Sequence, residues 1–283
     1  MRSQDPAARA VVLARGLGTR MREADPGVSL TGEQQQAADA GLKALMPVNG
    51  RPFLDFVLSA LADAGLPRIA LVVAPDHERL RVHLAQAPPS RTRVDFVVQP
   101  EALGTANAVL AAEPWTGGEP FLTVNADNLY PPDALRALAG AGEPAMLAFD
   151  ADDLVRTSNI PEDRIRAFAV VTVDERGYLR GIVEKPGAAD AIGGRAPATS
   201  TLLDGHQRIS MNCWRFDSRI FDACRGVAKS ARGEFELPEA VALAISRGVR
   251  VKAIPARGPV LDLSRRADAA DVARRLAGVV PCP

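Results

Sequence analysis

A run of apolar residues at positions 10–14 ends in a short segment, 15–22, that holds two glycines and three arginines. Gly16 and Gly18 lack a Cβ, so the backbone of such a segment can approach a ligand closely. Successive backbone N–H groups form concave sites for anions, and arginine adds a planar cation that binds phosphate. The segment therefore predicts a phosphate-binding loop at the end of a buried strand.

Three interpretations of this loop compete on the local pattern. A Walker phosphate loop requires GxxxxGK[ST], and no lysine follows Gly16 at that spacing. A dinucleotide-binding loop requires GxGxxG, and Met21 stands where the third glycine belongs. A plain turn between a strand and a loop also explains a lone GxG. The rest of the chain must decide between them.

Lysine and aspartate supply the other candidate groups for phosphate chemistry. Only four of the 34 basic residues are lysine, so Lys43 and Lys185 are informative in this arginine-rich chain. A lysine is a flexible point charge that suits a shifting phosphate oxygen. Asp127 and Asp262 each end an apolar run, where an unpaired carboxylate is costly unless it meets a cation. If these aspartates converge, they provide the one or two carboxylates that Mg²⁺ takes beside phosphate oxygens.

The order of predicted elements indicates an α/β fold. Near-continuous apolar runs separated by helical patterns are typical of a parallel sheet covered on both faces. The runs lie at 10–14, 69–74, 94–99, 120–127 and 144–149, and the helical patterns at 51–65, 104–113, 131–142, 217–228, 235–247 and 265–277. The second half is mixed, because 164–186 reads as two strands around a turn at 174–177 and 208–216 as another strand.

We therefore predict a Rossmann-like, mostly parallel sheet with helices on both faces, plus a small mixed β region. A length of 283 residues suits a single domain over 1–283. Two polar or Gly/Pro-rich segments, 23–42 and 186–207, are predicted to be loops that act as mobile covers, the first with a short helix.

Composition excludes several classes of function. The net charge is zero, so bulk charge gives no support for binding nucleic acid or an anionic membrane. The three cysteines, Cys213, Cys224 and Cys282, lack the spacing of a zinc site and suit a reducing compartment. No apolar run has the length of a signal peptide or a membrane span, so we expect a soluble, cytoplasmic protein.

At the pattern L-A-x-G-x-G-T-R-M, read here at 13–21, the chain resembles the sugar-1-phosphate nucleotidyltransferases. Six further segments resemble motifs of that family and follow its order over most of the chain. They are KALMPVNGRPFL at 43–54, QPEALGTANAV at 99–109, VNADNLY at 124–130, VEKP at 183–186, GEFELPEAV at 233–241 and GPVLDLSRRADAADVARRL at 258–276. Each segment is weak evidence alone, and together they identify the family.

The resemblance implies a reaction in which a nucleoside triphosphate and a sugar 1-phosphate give a nucleoside-diphosphate sugar and pyrophosphate. The sugar phosphate is the nucleophile, and its second pKa near 6 leaves it largely ionised at pH 7. No general base is then needed, and the three histidines lie outside every matched motif. Catalysis is left to positioning and charge neutralisation. The nucleotide-binding half is expected at about 1–150 and the sugar-phosphate-binding half at about 151–283.

The same resemblance assigns expected roles to individual residues. Arg20, Lys43 and Lys185 are the expected catalytic cations, with Lys43 on the α/β phosphates and Lys185 on the sugar phosphate. Asp127 and Asp262 are the expected Mg²⁺ ligands. The expected nucleotide-binding residues are Leu13, Ala14, Gly16, Leu17, Gly18, Thr19, Gln99, Gly104 and Thr105, and the expected sugar-binding residues are Asn125, Glu184, Asn212 and Trp214.

Several positions depart from the family pattern and leave the substrates open. Arg15 replaces a small residue and can stack on the base, meet a phosphate or point outward. Asn212-Cys213-Trp214 replaces N-x-G, so Trp214 can stack on a sugar or belong to the core. By resemblance, a Gln five residues before a Gly, as at Gln99 and Gly104, is frequent in the uridylyl- and thymidylyltransferases, although guanylyl- and adenylyl-specific relatives carry similar loops; the resemblance slightly favours UTP or dTTP as the triphosphate. The sugar, the pathway and a homo-oligomeric state are left open.

Other function classes remain as alternatives. One is a catalytically silent family member that binds nucleotide or sugar phosphate as a regulatory subunit. The presence of Arg20, Asp127 and Asp262 argues against this alternative. A second is a cytidylyl- or guanylyltransferase acting on a related phosphate. The third is a dinucleotide-binding oxidoreductase, which Met21 disfavours.

Overall fold

Residues 6–183 and 205–283 are described in the computed structural model of the chain. Their strands are β1 (Arg9–Leu13), β2 (Pro47–Val48), β3 (Arg51–Pro52), β4 (Arg68–Val73), β5 (Arg93–Val98), β6 (Phe121–Asn125), β7 (Asn128–Leu129), β8 (Ala145–Asp150), β9 (Val170–Val173), β10 (Leu179–Val183), β11 (Arg208–Phe216), β12 (Lys252–Ala256) and β13 (Leu261–Asp262). Their α-helices are α1 (Thr19–Arg22), α2 (Gly32–Asp39), α3 (Phe53–Asp63), α4 (Glu78–Gln86), α5 (Thr105–Ala111), α6 (Glu113–Thr116), α7 (Pro132–Ala139), α8 (Ala151–Thr157), α9 (Glu162–Arg166), α10 (Arg219–Gly226), α11 (Leu237–Ser246) and α12 (Asp268–Arg275).

Four parallel strands form the half of the sheet that carries the Gly- and Arg-rich segment 15–22. They lie in the order β6, β1, β4, β5, with β1 paired to β6 on one side and β4 on the other. Beyond β6 the sheet is mixed, because β11 runs antiparallel to β6, β8 and β9. The predicted turn at 174–177 does join two antiparallel strands, β9 and β10. The structure confirms the predicted α/β class.

Helices cover both faces of this sheet, and the alternation of side chains along β1 shows why. Ala10 and Val12 belong to one apolar cluster and Val11 to the other, because successive side chains of a strand point to opposite faces. The first cluster packs under α3, α7 and α12, and the second under α5, α10 and α11. Both faces are therefore dry, as a parallel sheet requires.

Several elements were not predicted from the sequence, among them very short ones such as α1 and β2, and four longer ones have a local reason. Helix α4 has a mostly polar surface with only Leu80 and Leu84 buried, so its apolar stripe is short. Strand β12 contains Pro255, which an edge strand tolerates but which weakens a strand pattern. Helix α8 lies in a polar stretch without clear periodicity. The predicted strand start at 164 was wrong, because Glu162–Arg166 form α9, with two acidic residues in its first turn, and β9 begins only at Val170.

The polar segment 23–42 contains the short helix that was expected. Helix α2 begins with a capping box in which Thr31 and Gln34 exchange side-chain and backbone hydrogen bonds. Most of the second polar segment, 186–207, lies outside the described residues. Within the described residues, no helix has both the length and the apolar character needed to cross a bilayer.

Candidate active site

A cleft of about 270 Å³ opens at the carboxyl ends of β1, β4, β5 and β6. The chain passes from β1 outward to β4 and β5, and then returns to β6 on the opposite side of β1. The cleft therefore lies where the strand order changes direction, which is where ligands bind in open α/β sheets. Its lining includes Leu13, Ala14, Arg15, Gly16, Leu17, Lys43, His77, Gln99, Gly104, Thr105, Asn125, Asp127 and Glu234.

Two segments of the cleft wall meet backbone to backbone. We call residues 15–18 the glycine loop and residues 41–45 the lysine segment. Gly18 and Gly41 both adopt left-handed backbone angles, with φ of 63° and 69°. A Cβ on Gly18 would lie 2.3 Å from the carbonyl oxygen of Gly41, and one on Gly41 would lie 2.7 Å from the carbonyl oxygen of Leu17. Only glycine fits at either position.

The lysine segment and the end of β6 bring Lys43 and Asp127 together in the cleft. Lys43 begins a 3₁₀ turn (Lys43–Leu45), and Asp127 follows β6 by two residues. Lys43 Nζ donates to Asp127 Oδ2 at 3.0 Å, and the two side chains are 20% and 26% exposed. Two residues that the sequence placed in one site are therefore in direct contact, although 84 positions separate them.

The opposite end of the cleft is organised by the side chain of Gln99. Its Nε2 donates to the carbonyl oxygen of Gly104 at 3.1 Å and to Asn107 Oδ1 at 2.8 Å. The Gly104 carbonyl can only accept, so the amide nitrogen must face it and the orientation of the amide is fixed. Both hydrogens of Nε2 are thereby used, and the amide offers a ligand its oxygen as an acceptor.

The loop that carries Gln99 and Gly104 is docked on a segment from the second half of the chain. Phe235 N donates to Leu103 O at 2.8 Å, Ala106 N donates to Phe235 O at 2.9 Å, and Leu237 N donates to Thr105 Oγ1 at 2.9 Å. Gly104 has a φ of 101°, and a Cβ there would lie 2.6 Å from Phe235 O. The close contact places Glu234, which was not predicted as a site residue, on the cleft wall.

Arg15 joins the glycine loop to this second loop. Its Nε donates to the carbonyl oxygen of Gln99 and its Nη2 to that of Pro100, both at 3.3 Å. Of the alternatives left open by the sequence, the structure shows Arg15 bonded to the backbone of the loop that follows β5. The guanidinium lies in the cleft lining rather than pointing away from it.

His77 is a cleft residue that sequence reasoning missed. Its Nδ1 accepts from the backbone N–H of Ala74 at 3.4 Å, and it lies just beyond the carboxyl end of β4. Burial lowers the pKa of the imidazole and the nearby Arg15 acts in the same direction, while Asp76 opposes them. The sequence signal that could have identified His77 is its position after a parallel strand, since such positions gather at one edge of the sheet.

Asp262 is close to Asp127 through the backbone, but its carboxylate has other partners. Strand β13 pairs with β7, and Leu263 N donates to Asp127 O at 2.9 Å. The Asp262 carboxylate accepts from Arg164 Nη2 at 2.7 Å and from Asn128 Nδ2 at 3.2 Å, and the residue is buried. Asp262 does not line the cleft. Among residues 6–183 and 205–283, no three His, Cys, Asp or Glu side chains gather as a metal site.

The remaining predicted residues divide into three groups. Thr19 and Arg20 are exposed at the start of α1, outside the cleft lining, whereas Asn125 lies in the lining. Asn212 is an exposed residue within β11 and has a left-handed φ of 55°, where β11 changes register against β8. Glu184 and Lys185 lie outside the described residues.

Trp214 is not positioned to stack on a sugar. It is fully buried and stacks on Phe216 with ring centroids 5.7 Å apart. The reason is its place in the sheet, where it pairs with Thr123 of β6 and Met146 of β8 beneath the helices of the second apolar cluster. The alternative that Trp214 belongs to the core is therefore the correct one.

Comparison with known proteins gives a family and several relatives. The model of the family described as nucleotidyl transferase matches residues 9–263. A glucose-1-phosphate thymidylyltransferase of Streptomyces griseus is 25% identical over 94% of this chain and 65% of its own length. A UTP–glucose-1-phosphate uridylyltransferase of Haloferax volcanii, AglF, is 27% identical over 94% of this chain and 96% of its own length. The chain thus spans just under two thirds of the first relative and nearly all of the second.

Solved structures agree at the level of the fold. A UDP-glucose pyrophosphorylase complexed with UDP-glucose superposes with a TM-score of 0.71. The alignment covers 96% of this chain and 98% of that one, with 16% sequence identity. The likeness extends over both halves of the chain, including the mixed part of the sheet.

We expect the two glycines of the glycine loop to respond differently to alanine. In Gly18→Ala, the Cβ meets the backbone of Gly41 and the residue is held at positive φ, so the free energy of unfolding falls by about 1–3 kcal/mol. Gly16→Ala is the matched control, since a Cβ there meets no atom within 4 Å. Urea unfolding of the two variants measures the difference, and equal stabilities would show that the close contact does not constrain the loop.

His77 is expected to make the protein less stable in mild acid. Its folded-state pKa lies below the unfolded value near 6.5, so below that pH the unfolded chain binds more protons than the native one. The contribution to stability is present above pH 6.5 and is lost as the pH falls through the lowered pKa. His77→Asn keeps an acceptor for Ala74 N–H, and we expect its unfolding free energy to vary less between pH 5 and 7. An unchanged pH dependence would contradict this assignment.

Proposed function

Because the chain belongs to the nucleotidyl transferase family, we propose that it transfers a nucleotidyl group from a nucleoside triphosphate to a sugar 1-phosphate and releases pyrophosphate. The observation that carries the proposal is the cleft at the switch in strand order, with the Lys43–Asp127 pair and the Gln99 amide in its lining. Both relatives described above are named for glucose 1-phosphate, so that compound is the first acceptor to test.

The reaction requires the protein to neutralise charge and to position the reactants, rather than to transfer a proton. A phosphate oxygen of the sugar 1-phosphate attacks the α-phosphorus, and a new P–O bond forms. The bond from the α-phosphorus to the oxygen bridging it to the β-phosphorus breaks, and pyrophosphate leaves with that oxygen and its electron pair. The attacking oxygen is already ionised at pH 7, so no side chain has to remove a proton. A mostly neutral His77 is compatible with this scheme.

Lys43 and Asp127 are the groups best placed to meet the triphosphate. A lysine and a carboxylate in contact neutralise each other, and a ligand that brings both a phosphate and a metal ion offers each a new partner. Lys43 can then turn its ammonium to a phosphate oxygen, as a point charge on a flexible stem. Arg20, exposed at the start of α1, is proposed to hold the outer phosphates.

The donor set fits Mg²⁺ at Asp127 and fits it less well at Asp262. Asp127 presents a partly exposed carboxylate in the cleft, and Mg²⁺ needs only one or two protein carboxylates beside phosphate and water oxygens. Asp262 already accepts from Arg164 and Asn128, so it serves as a second ligand only if Arg164 releases it. When bound, Mg²⁺ would neutralise charge on the triphosphate.

We propose uracil or thymine as the base. The Gln99 amide donates both Nε2 hydrogens, to Gly104 and to Asn107, so its oxygen is the group that can accept a hydrogen bond from a ligand. Uracil and thymine carry an N–H donor on the ring edge, whereas the corresponding ring nitrogen of cytosine is an acceptor. This orientation supports UTP or dTTP over CTP; guanine also carries a ring N–H, and the names of the two relatives, a thymidylyl- and a uridylyltransferase, favour the two pyrimidines over it.

The sugar is proposed to bind beside the mixed part of the sheet. Asn212 is exposed, and a non-glycine residue at positive φ within a strand is a strained conformation that is often found at functional sites. Asn125 lies in the cleft, and its Nδ2 donates to Asn128 Oδ1 at 3.3 Å. Glu184 and Lys185 keep their proposed roles on the sugar hydroxyls and the sugar phosphate from the sequence alone. We place the activity in the cytoplasm, and a homo-oligomeric state stays a prediction.

Pyrophosphate release is the direct test of this function. We expect release in the presence of Mg²⁺ from one pairing of ATP, GTP, CTP, UTP or dTTP with a panel of sugar 1-phosphates, and its loss on chelation by EDTA. Glucose 1-phosphate with UTP and dTTP comes first. Nucleotide binding without release from any pairing would contradict the proposal and favour a silent regulatory member of the family.

Asp127→Asn tests the role of the carboxylate in that assay. We expect turnover to fall by about 10²-fold or more, as for the loss of one electrostatic contact to a transition state. Asp133→Asn is the control, because that side chain is 93% exposed on α7 and outside the cleft. Near-normal turnover of Asp127→Asn, with Mg²⁺ dependence unchanged, would remove Asp127 from the metal site.

Gln99→Ala tests the base assignment. We expect the preference for the best pyrimidine triphosphate over the others, measured as the ratio of kcat/KM values, to fall by about 10-fold, as for the loss of one hydrogen bond in a buried site. Gln86→Ala is the matched control, because Gln86 is an exposed glutamine at the end of α4 and does not line the cleft. Unchanged selectivity in Gln99→Ala would refute the assignment.

A further inference from the structure

A buried arginine near the end of the chain binds α1, the short helix that follows the glycine loop. Arg266 has an 8% exposed side chain and lies four residues after Asp262. Its Nε donates to Met21 O at 2.9 Å, and its Nη2 donates to Arg22 O at 3.1 Å and to Asp39 Oδ1 at 2.7 Å. None of these acceptors lies in the cleft lining.

The three acceptors lie next to the two segments whose contact defines the cleft wall, just after the glycine loop and just before the lysine segment. Met21 and Arg22 are the last residues of α1, where carbonyl oxygens have no partner within the helix. Asp39 ends α2 and stands two residues before Gly41. One guanidinium thus ties the helix that follows Gly18 to the residues that precede Gly41.

Helix α1 needs such a support because it has only four residues. A single helical turn is unstable on its own, since its nucleation cost is not repaid by further hydrogen bonds. Met21 is its one buried side chain, and Arg20 projects from an exposed position on the same turn. The orientation of Arg20 therefore depends on how the carbonyl end of α1 is held.

The backbone that carries Arg266 is itself fixed. Asp268 Oδ2 accepts from the N–H groups of Ser264 and Arg265 at 2.9 and 2.7 Å, and Asp268 Oδ1 accepts from Arg164 at 2.9 Å. Arg164 is the same residue that bonds Asp262. A rigid turn at the start of α12 thus presents the guanidinium at a set distance from α1.

We propose that Arg266 is a positioning residue for the nucleotide: it caps α1 and clamps Asp39, and so sets where Arg20 and Lys43 stand towards the phosphates. This inference rests on the proposed function. Arg266 touches neither the cleft nor a reacting atom, so it acts through the two segments it joins. Its planar fork reaches three acceptors at once, which a lysine ammonium does not reproduce.

The test compares Arg266→Lys and Arg266→Gln with Arg265→Gln. Arg265 is the matched control, because it is the preceding arginine and is exposed. We expect both Arg266 variants to raise KM for the triphosphate by about 10-fold, from the loss of one or two hydrogen bonds to carbonyl groups. KM for the sugar phosphate should change less than about 2-fold and Arg265→Gln should match wild type. Asp39→Asn, which removes the charge of one acceptor, should raise the same KM by a smaller factor.

Hydrogen exchange separates a positioning role from general support of the fold. We expect Arg266→Gln to raise amide exchange at 19–23 and 40–43 while the amides of β1 and β4 keep wild-type protection. Exchange raised evenly through the chain, or unchanged KM for the triphosphate in both Arg266 variants, would overturn the inference. Wild type that binds triphosphate but releases no pyrophosphate would contradict the proposed function instead, and the exchange pattern would still decide whether Arg266 orders α1.

Discussion

The contact between Gly18 and Gly41 is the constraint on which the rest of the site depends. Two backbones approach so closely that no side chain fits between them, and each glycine adopts a left-handed conformation to allow it. The contact sets the glycine loop against the lysine segment. Lys43 thereby comes within reach of Asp127, and the cleft has one continuous wall from β1 to the end of β6.

Charge around the cleft is arranged in one partly exposed pair and one largely buried group. Lys43 and Asp127 are partly exposed in the cleft and balance each other in the free protein. Arg164, Asp262 and Asp268 form a second group, which is almost entirely buried and lies behind the cleft. Burying a charge is costly unless it is paired. The first pair is therefore suited to exchange, whereas the second group is suited to holding β13 and α12 in place.

Much of the site was predictable because parallel strands deliver their carboxyl ends to one edge. The resemblance to the family placed Asp127 and Gln99 in one site with the glycine loop, and the α/β pattern explains their convergence, because both residues stand at the carboxyl ends of apolar strands. The pairing of Asp262 with Arg164 was not predictable, because α9 stands where the sequence predicted the start of a strand and about 100 residues separate the partners. Trp214 was ambiguous because it lies two residues after Asn212, the one exposed residue of β11, and the sequence did not show that the rest of the strand is buried.

The docking of the Gln99 loop on residues 234–237 bears on how the chain is divided. The strands that carry the glycine loop, Gln99 and Asp127 all lie within the first 150 residues, which suggests a self-contained nucleotide-binding module. Yet the backbone of Phe235 supplies two of the hydrogen bonds that shape the end of the cleft around Gln99. A fragment cut near position 150 would keep the strands and lose that wall. The cleft is therefore not a self-contained unit, because transferring it to another scaffold would also require residues 234–237 from the far half of the sequence.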